Sequence, residues 1–187
     1  MVEQDPLSPE QKEALALASE RSKKILGAGK VAAFNGWTLG VIGGLSILSG
    51  LFSLTGFVVG VLIAIVAWNE FRGRALIRKL EPAGPILLAK NQVGLMGVVI
   101  AYCVWSMYVT VASPSSELAE LDEVFELLPE GLVTDLTLLV YGTVIAVTLI
   151  VQGLNARYYF ARIELLRDYL DETPGWILDM QRTTLDG

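Results

Sequence analysis

Four long apolar stretches alternate with polar segments along this chain. Each is close to the ~20 residues that an α-helix needs to cross the hydrocarbon core of a bilayer. They occupy residues 31–52, 54–71, 93–112 and 132–153. This pattern predicts an all-α integral membrane protein, a single four-span membrane domain over residues 1–187.

Helical periodicity continues outside these stretches. Ser8, followed by Pro9 and by Gln11 three residues later, is typical of a capped helix start. Small and apolar residues then recur at spacings of three and four, which predicts an amphipathic cytoplasmic helix within 1–30 that runs into the first span. The helix from Pro9 to about residue 51 is either continuous or bent near 27–29.

The second and fourth spans are also expected to continue beyond the membrane. The segment 72–92 is interpreted as a basic cytoplasmic helix that ends at Pro82 and a turn. The segment 154–187 is interpreted as an amphipathic extension of the fourth span, then a short helix over 175–182 after Pro174. The two halves thus resemble each other, as an internal duplication or as two hairpins under the same physical constraints.

Charge predicts the orientation. All 14 Lys and Arg residues lie in 1–30, 72–92 and 154–187, whereas residues 113–135 contain seven carboxylates and no cation. Positively charged flanks are retained in the cytoplasm, so both termini and the middle loop are expected there. We expect a bacterial inner membrane as the location and, from the polar start of the chain, no cleavable signal peptide.

The acidic connection 113–131 is predicted to form a short outer surface helix. Its apolar face has to be buried against lipid or protein, and its carboxylates would attract a cationic partner by long-range steering. The alternative is a solvated face that only keeps the loop outside. The candidate partner surface comprises Glu117, Glu120, Leu121, Glu123, Phe125 and Glu126.

Amide side chains and one carboxylate cluster at the predicted cytoplasmic boundary. They form either a polar pocket for a lipid headgroup, an ion or a small solute, or a layer satisfied by water and interhelical hydrogen bonds. We favour the second interpretation, with Arg72 and Arg74 near enough in sequence to neutralise the carboxylate. The members are Asn35, Asn69, Glu70, Asn91, Gln92, Gln152 and Asn155.

Small residues at four-residue spacing recur on the first two spans. Helices in lipid associate through close backbone approach, which such residues permit. The sequence therefore predicts a tight hairpin packed through Gly36, Gly40 and Gly44 on one helix and Gly56, Gly60 and Ala64 on the other.

The residue content argues against catalysis. Histidine is absent, Cys103 is the single cysteine, and no charge lies near the middle of a span. The segment 27–30 resembles the end of a phosphate-binding loop, but it lacks the first glycine and the Ser or Thr after the lysine. We expect no enzyme, cofactor, metal or nucleic acid. The basic helices 72–79 and 157–167 fit anionic-lipid binding as well as topology determination.

These observations lead to two hypotheses about function. The first is a non-catalytic accessory, scaffolding or assembly subunit of a membrane protein complex. Its partners would be the lipid bilayer and other membrane subunits or further copies of the chain. The alternative is a small oligomeric channel or transporter with a polar site at the cytoplasmic boundary.

Overall fold

The computed structural model describes residues 7–50, 54–112 and 131–185, which form five α-helices and no strand. The first four helices are long and apolar enough to cross a membrane. The all-helical class with four candidate spans is therefore confirmed, whereas the predicted outer helix lies outside the described residues. The helices are α1 (Pro9–Ser49), α2 (Leu54–Arg78), α3 (Ala83–Ala112), α4 (Leu132–Glu172) and α5 (Gly175–Leu185).

Helix α1 begins as the sequence predicts. The Ser8 hydroxyl accepts a hydrogen bond from the Gln11 backbone N–H, and the Gln11 side chain accepts one from the Ser8 backbone N–H. The two bonds satisfy donors that a helix start otherwise leaves unpaired. The helix then continues without interruption to Ser49, so the amphipathic segment and the first apolar stretch are one element.

Helix α2 ends at Arg78, whereas the sequence predicted that it would continue to Glu81. Leu80 adopts the left-handed backbone region, with φ 55°, and the Glu81 N–H donates to the Leu76 carbonyl at 3.0 Å. This bond closes the helix end in the manner of a Schellman motif. Burial of the Leu80 side chain offsets the unfavourable backbone conformation.

Helix α3 begins at Ala83, ten residues before the apolar stretch that predicted it. The expectation of a turn up to residue 92 is therefore wrong. Pro85 lies in the first turn, where backbone N–H groups form no hydrogen bond within the helix, so the N–H that proline lacks is not needed. Gly84 is required at the corner with α2, since a Cβ there would lie 2.8 Å from the Ile77 backbone nitrogen.

The described chain divides into two compact units. One comprises the described residues of Met1–Asn91 and Ala156–Gly187, and the other comprises those of Gln92–Asn155. The first unit contains the hydrophobic core, to which every helix contributes. Its members are Ala18, Ile25, Ala28, Ala32, Ile77, Leu80, Leu88, Ala89, Tyr159, Leu166, Tyr169 and Ile177.

The C-terminal helix α5 is fixed within the first unit. The chain turns at Thr173 and Pro174, as the sequence predicts, and Ile177 is fully buried. The Tyr169 hydroxyl donates a hydrogen bond to the Gln181 side chain. Burial raises the pKa of this hydroxyl, so it remains protonated and available as a donor.

The second unit consists of the C-terminal part of α3 and the N-terminal part of α4. Tyr102 of α3 and Tyr141 of α4 meet edge to face, with ring centroids 6.2 Å apart. Leu95, Cys103 and Thr110 are buried, but most of the large apolar side chains in this unit are exposed.

Candidate functional site

A buried carboxylate occupies the centre of the first unit. Glu70 on α2 is 0% exposed. Its Oε1 accepts a hydrogen bond from Asn91 Nδ2 of α3 at 2.7 Å, and its Oε2 accepts one from the Tyr159 hydroxyl of α4 at 3.4 Å. Leaving a buried polar group without its hydrogen-bond partner costs about 1–3 kcal/mol. The bond from Asn91 is the stronger of the two by distance.

Asn91 is held in a single orientation by its other contacts. Its Nδ2 also donates to the Val66 carbonyl oxygen at 3.0 Å, and its Oδ1 accepts from Asn69 Nδ2 at 3.2 Å. The amide nitrogen therefore has to point towards Glu70, and α3 is locked against α2 at this position.

Helix α1 packs closely against Glu70 at Gly36. A Cβ added to Gly36 would lie 3.1 Å from the Phe71 ring and 3.2 Å from the Glu70 Cβ. The neighbouring Asn35 lies near the Tyr159 hydroxyl, and its buried Nδ2 forms no hydrogen bond among the described residues. Four helices thus meet at one level, which we call the Glu70 layer. It consists of Asn35, Gly36, Asn69, Glu70, Asn91 and Tyr159.

The predicted boundary residues are divided between the two units. Asn35, Asn69, Glu70 and Asn91 lie together in the first unit. The other three belong to the second unit, where Gln92 is buried, Gln152 and Asn155 are half-buried, and Gln152 Oε1 forms no hydrogen bond among the described residues. Tyr159, which is not among the predicted amides and Glu70, completes the layer.

The two arginines that follow Glu70 in the sequence do not pair with it. Arg72 is exposed and Arg74 is half-buried, and neither forms an ion pair within the part of the chain that the structure describes. Neutral donors from α3 and α4 stabilise the carboxylate there. The described residues contain no cluster of three His, Cys, Asp or Glu side chains that could hold a metal ion.

Close approach of α1 and α2 is confined to particular glycines. A Cβ on Gly60 would lie 2.6 Å from the Ile47 nitrogen, and one on Gly43 would lie 3.1 Å from the Ala64 nitrogen. Gly40 is looser, at 4.0 Å from the Ala67 Cβ, and nothing lies within 4 Å of a Cβ on Gly44. Of the predicted series, Gly36, Gly60 and Ala64 therefore lie at the close contact, with Gly43 in place of Gly44. On α2 a Cβ on Gly56 would lie 3.5 Å from the Gly50 Cα.

An open apolar groove of about 630 Å³ follows one face of α3 in the second unit. It is lined by the small residues Gly97 and Ala101 and by the aromatic rings of Trp105 and Tyr108. The lining residues are Gly97, Ile100, Ala101, Val104, Trp105 and Tyr108. The acidic partner surface predicted within 113–131 lies outside the described residues.

Comparison of the chain with protein-family models, curated proteins and solved structures finds no match.

Proposed function

We propose that this protein is a non-catalytic accessory, scaffolding or assembly subunit of a membrane protein complex. Its four long helices cross the membrane, and the ends of α1 and α4 that carry the hydrophobic core lie in the cytoplasm with both termini. The confinement of all 14 Lys and Arg residues to the cytoplasmic segments supports this orientation. A bacterial inner membrane fits the same charge distribution.

The apolar surface of the second unit is the observation that carries this proposal. In the most apolar 18-residue stretch of each helix, 17% of the residues of α1, 22% of α2 and 17% of α3 are buried, but none of α4. No described residue of the fourth apolar stretch is fully buried, although Tyr141 contacts Tyr102 of α3. Much of its surface is therefore left to lipid or to helices of other proteins.

The groove on α3 offers a place where another helix can approach closely. Helices associate in lipid by van der Waals packing, which is strongest where small residues let the backbones come together. Gly97 and Ala101 lie one turn apart on the exposed face, and a Cβ on Gly97 would meet nothing within 4 Å. A neighbouring membrane helix would fill this space.

The Glu70 layer supports a structural role more than transport. A solute site would need open room beside the carboxylate, whereas Glu70 is fully buried and Asn91 is only 8% exposed. Each oxygen of Glu70 already accepts a hydrogen bond from within the chain. Glu70, Asn91 and Tyr159 are thus occupied in joining α2, α3 and α4.

Co-purification from native membranes tests the proposal. The tagged full-length chain is extracted in a mild detergent, and co-purifying membrane proteins are quantified by mass spectrometry. Replacing Gly97 and Ala101 together by Leu fills the groove. We expect at least one membrane protein to be recovered in fixed stoichiometry with the wild-type chain and to be lost with this variant.

A matched control separates the groove from the rest of α3. Val98 and Val109 are exposed on the same helix but do not line the groove, so their joint replacement by Leu is expected to retain the partner. Loss in both variants would contradict the groove as the contact site. A wild-type chain that purifies alone and supports solute flux in vesicles would contradict the assembly function and favour the transporter.

A further inference from the structure

The helix contacts at the Glu70 layer provide a common level from which positions along each helix can be measured. Glu70 marks this level on α2, Gly36 on α1, Asn91 on α3 and Tyr159 on α4. An α-helix rises 1.5 Å per residue. Residues within four positions of these markers therefore lie within about 6 Å of the layer along their helix axes.

Five cations lie within this distance. Three of them are exposed and two are half-buried, and they come from α2, α3 and α4. Glu70 is the one carboxylate within the same distance on these four described helices, and its side chain is buried. We call these cations the cation belt, and its members are Arg72, Arg74, Lys90, Arg157 and Arg162.

The cation belt has no carboxylate partner in the part of the chain that the structure describes. None of its five residues forms an ion pair among the described residues, including with Glu164, the next carboxylate along α4. By contrast, Arg21, much further from the layer on α1, pairs with Glu172 at the end of α4. The uncompensated charge is thus local to the layer, and an anionic counterpart outside the chain would satisfy it.

In the cation belt, the guanidinium of Arg162 is positioned by an aromatic ring. Its guanidinium carbon lies 4.6 Å above the centre of the Tyr158 ring, and its Nε is buried without a hydrogen-bond partner among the described residues. A ring holds the guanidinium in place without using its N–H groups. The buried Nε is out of reach of a lipid, so the terminal N–H groups are the donors available for the oxygens of a phosphate.

Large aromatic side chains are exposed at the same level. Trp68 is 71% exposed, and Phe34, Trp37 and Phe160 are also exposed, all within two residues of the layer on their own helices. Aromatic rings are enriched at the boundary between hydrocarbon and headgroups, and an aqueous protein surface rarely exposes so many. A soluble acidic protein would meet the cations but would leave this ring of aromatics without an apolar environment.

We propose that the cation belt binds the phosphates of anionic phospholipids in the cytoplasmic leaflet, with the Glu70 layer at headgroup depth. Cations near a membrane surface each strengthen attraction to anionic lipid. This inference rests on insertion of the four helices in a membrane. It does not depend on the assembly function, because it concerns lipid around the first unit rather than a protein on α3.

Trp68 can report the lipid composition beside the belt. Replacing Trp37, Trp105 and Trp176 by Phe leaves one tryptophan, four residues from Arg72. The full-length chain is reconstituted in phosphatidylcholine vesicles containing increasing fractions of phosphatidylglycerol, with bromine on the acyl chains of one lipid or the other. Quenching of Trp68 by each brominated lipid gives the preference of the local site for the anionic lipid.

We expect phosphatidylglycerol to be preferred by at least about threefold over phosphatidylcholine. Replacing the three exposed belt cations, Arg72, Lys90 and Arg157, by Gln should reduce the preference to within about twofold of unity. These side chains are exposed, so the core should remain intact. Unchanged circular dichroism and gel-filtration behaviour of the variant would check this.

A control triple separates the belt from net charge. Lys12, Lys23 and Arg167 are exposed cations on α1 and α4 that lie outside the belt. Their joint replacement by Gln removes the same charge and is expected to leave the preference unchanged. Equal loss in both triples would overturn the proposal, as would a wild-type preference near unity.

An acidic protein partner would give a different result. In that case Trp68 would show no lipid preference, and a poly-glutamate peptide would bind wild-type protein in phosphatidylcholine vesicles but not the belt triple. That outcome would also overturn the assignment to lipid.

Discussion

The Tyr159 hydroxyl lies 3.4 Å from Oε2 of Glu70, although 89 residues separate the two along the chain. This contact joins the continuation of the fourth apolar helix to the end of the second. Residues of α4 beyond its apolar stretch therefore belong to the hydrophobic core of the first unit. Leu166 and Tyr169 are two further examples.

Removing the Asn91 donor to Glu70 should destabilise the protein more than removing the Tyr159 donor, because the Asn91 hydrogen bond is shorter. Asn91→Leu is expected to lower the free energy of unfolding by about 1.5–3 kcal/mol, because the buried carboxylate loses its 2.7 Å bond. Tyr159→Phe should lower it by about 0.5–1.5 kcal/mol, because its bond is longer. Titration of purified protein in mild detergent with dodecyl sulfate measures both.

Tyr158→Phe is the matched control for these variants. Tyr158 is the half-buried neighbour of Tyr159, and its ring, which contacts Arg162, is retained in Phe. A change within about 0.5 kcal/mol is expected. If Asn91→Leu were as stable as this control, the Glu70 network would not contribute to stability.

Much of the helical framework was predictable because it depends on local patterns. The capping box of Ser8 and Gln11 and the break at Pro174 are determined by residues within a few positions of each other. The start of α3 was missed because Gly84 and Pro85 are typical of a turn, although Pro85 is compatible with a first helical turn. The sequence gives no local reason for Leu80 to end α2 in the left-handed region.

Contacts between helices were predictable only in part. Asn69, Glu70 and Asn91 were identified from their polarity at the boundary of apolar stretches. Tyr159 could not be placed with them, because no local pattern relates residues so far apart. On α1, the four-residue spacing predicted Gly44 at the contact. Residues seven positions apart lie on the same face of a helix, so Gly43 rather than Gly44 shares the face of Gly36.

The hairpin should be sensitive to substitution at Gly60 and tolerant at Gly44. Leu at position 60 would place a Cβ 2.6 Å from the Ile47 nitrogen and force α1 and α2 apart. A loss of about 1–3 kcal/mol or more is expected from such overpacking. Gly44→Leu, with nothing within 4 Å of its Cβ, should leave stability nearly unchanged. Thermal denaturation in detergent compares them, and equal tolerance would remove the close-packing interpretation.

The docking of α5 should depend on one side chain. Ile177 is fully buried, and truncation to Ala is expected to weaken its packing by about 2–5 kcal/mol. Because α5 is a short terminal helix, the loss should appear as faster amide hydrogen exchange in α5 rather than as global unfolding. Met180→Ala, at an exposed position of the same helix, is the control. Unchanged exchange in Ile177→Ala would show that the Tyr169–Gln181 hydrogen bond alone holds the helix.

The ion pair between Arg21 and Glu172 should contribute little. Its side chains are 49% and 59% exposed, so water and salt screen their attraction. Arg21→Gln is expected to change the free energy of unfolding by less than about 1 kcal/mol, and raising the salt concentration should reduce even that difference. A loss above about 2 kcal/mol in high salt would instead assign the pair a structural role.

Placement of the chain in the membrane, with four crossings and both termini in the cytoplasm, is the claim on which the proposed function and the lipid belt both depend. Single cysteines introduced by Ser116→Cys, in the connection 113–131, and Thr183→Cys, on α5, test it after Cys103→Ser removes the native thiol. A membrane-impermeant maleimide applied to intact cells should label position 116 at once and position 183 only after permeabilisation. Labelling of position 183 in intact cells, with position 116 protected, would contradict the account.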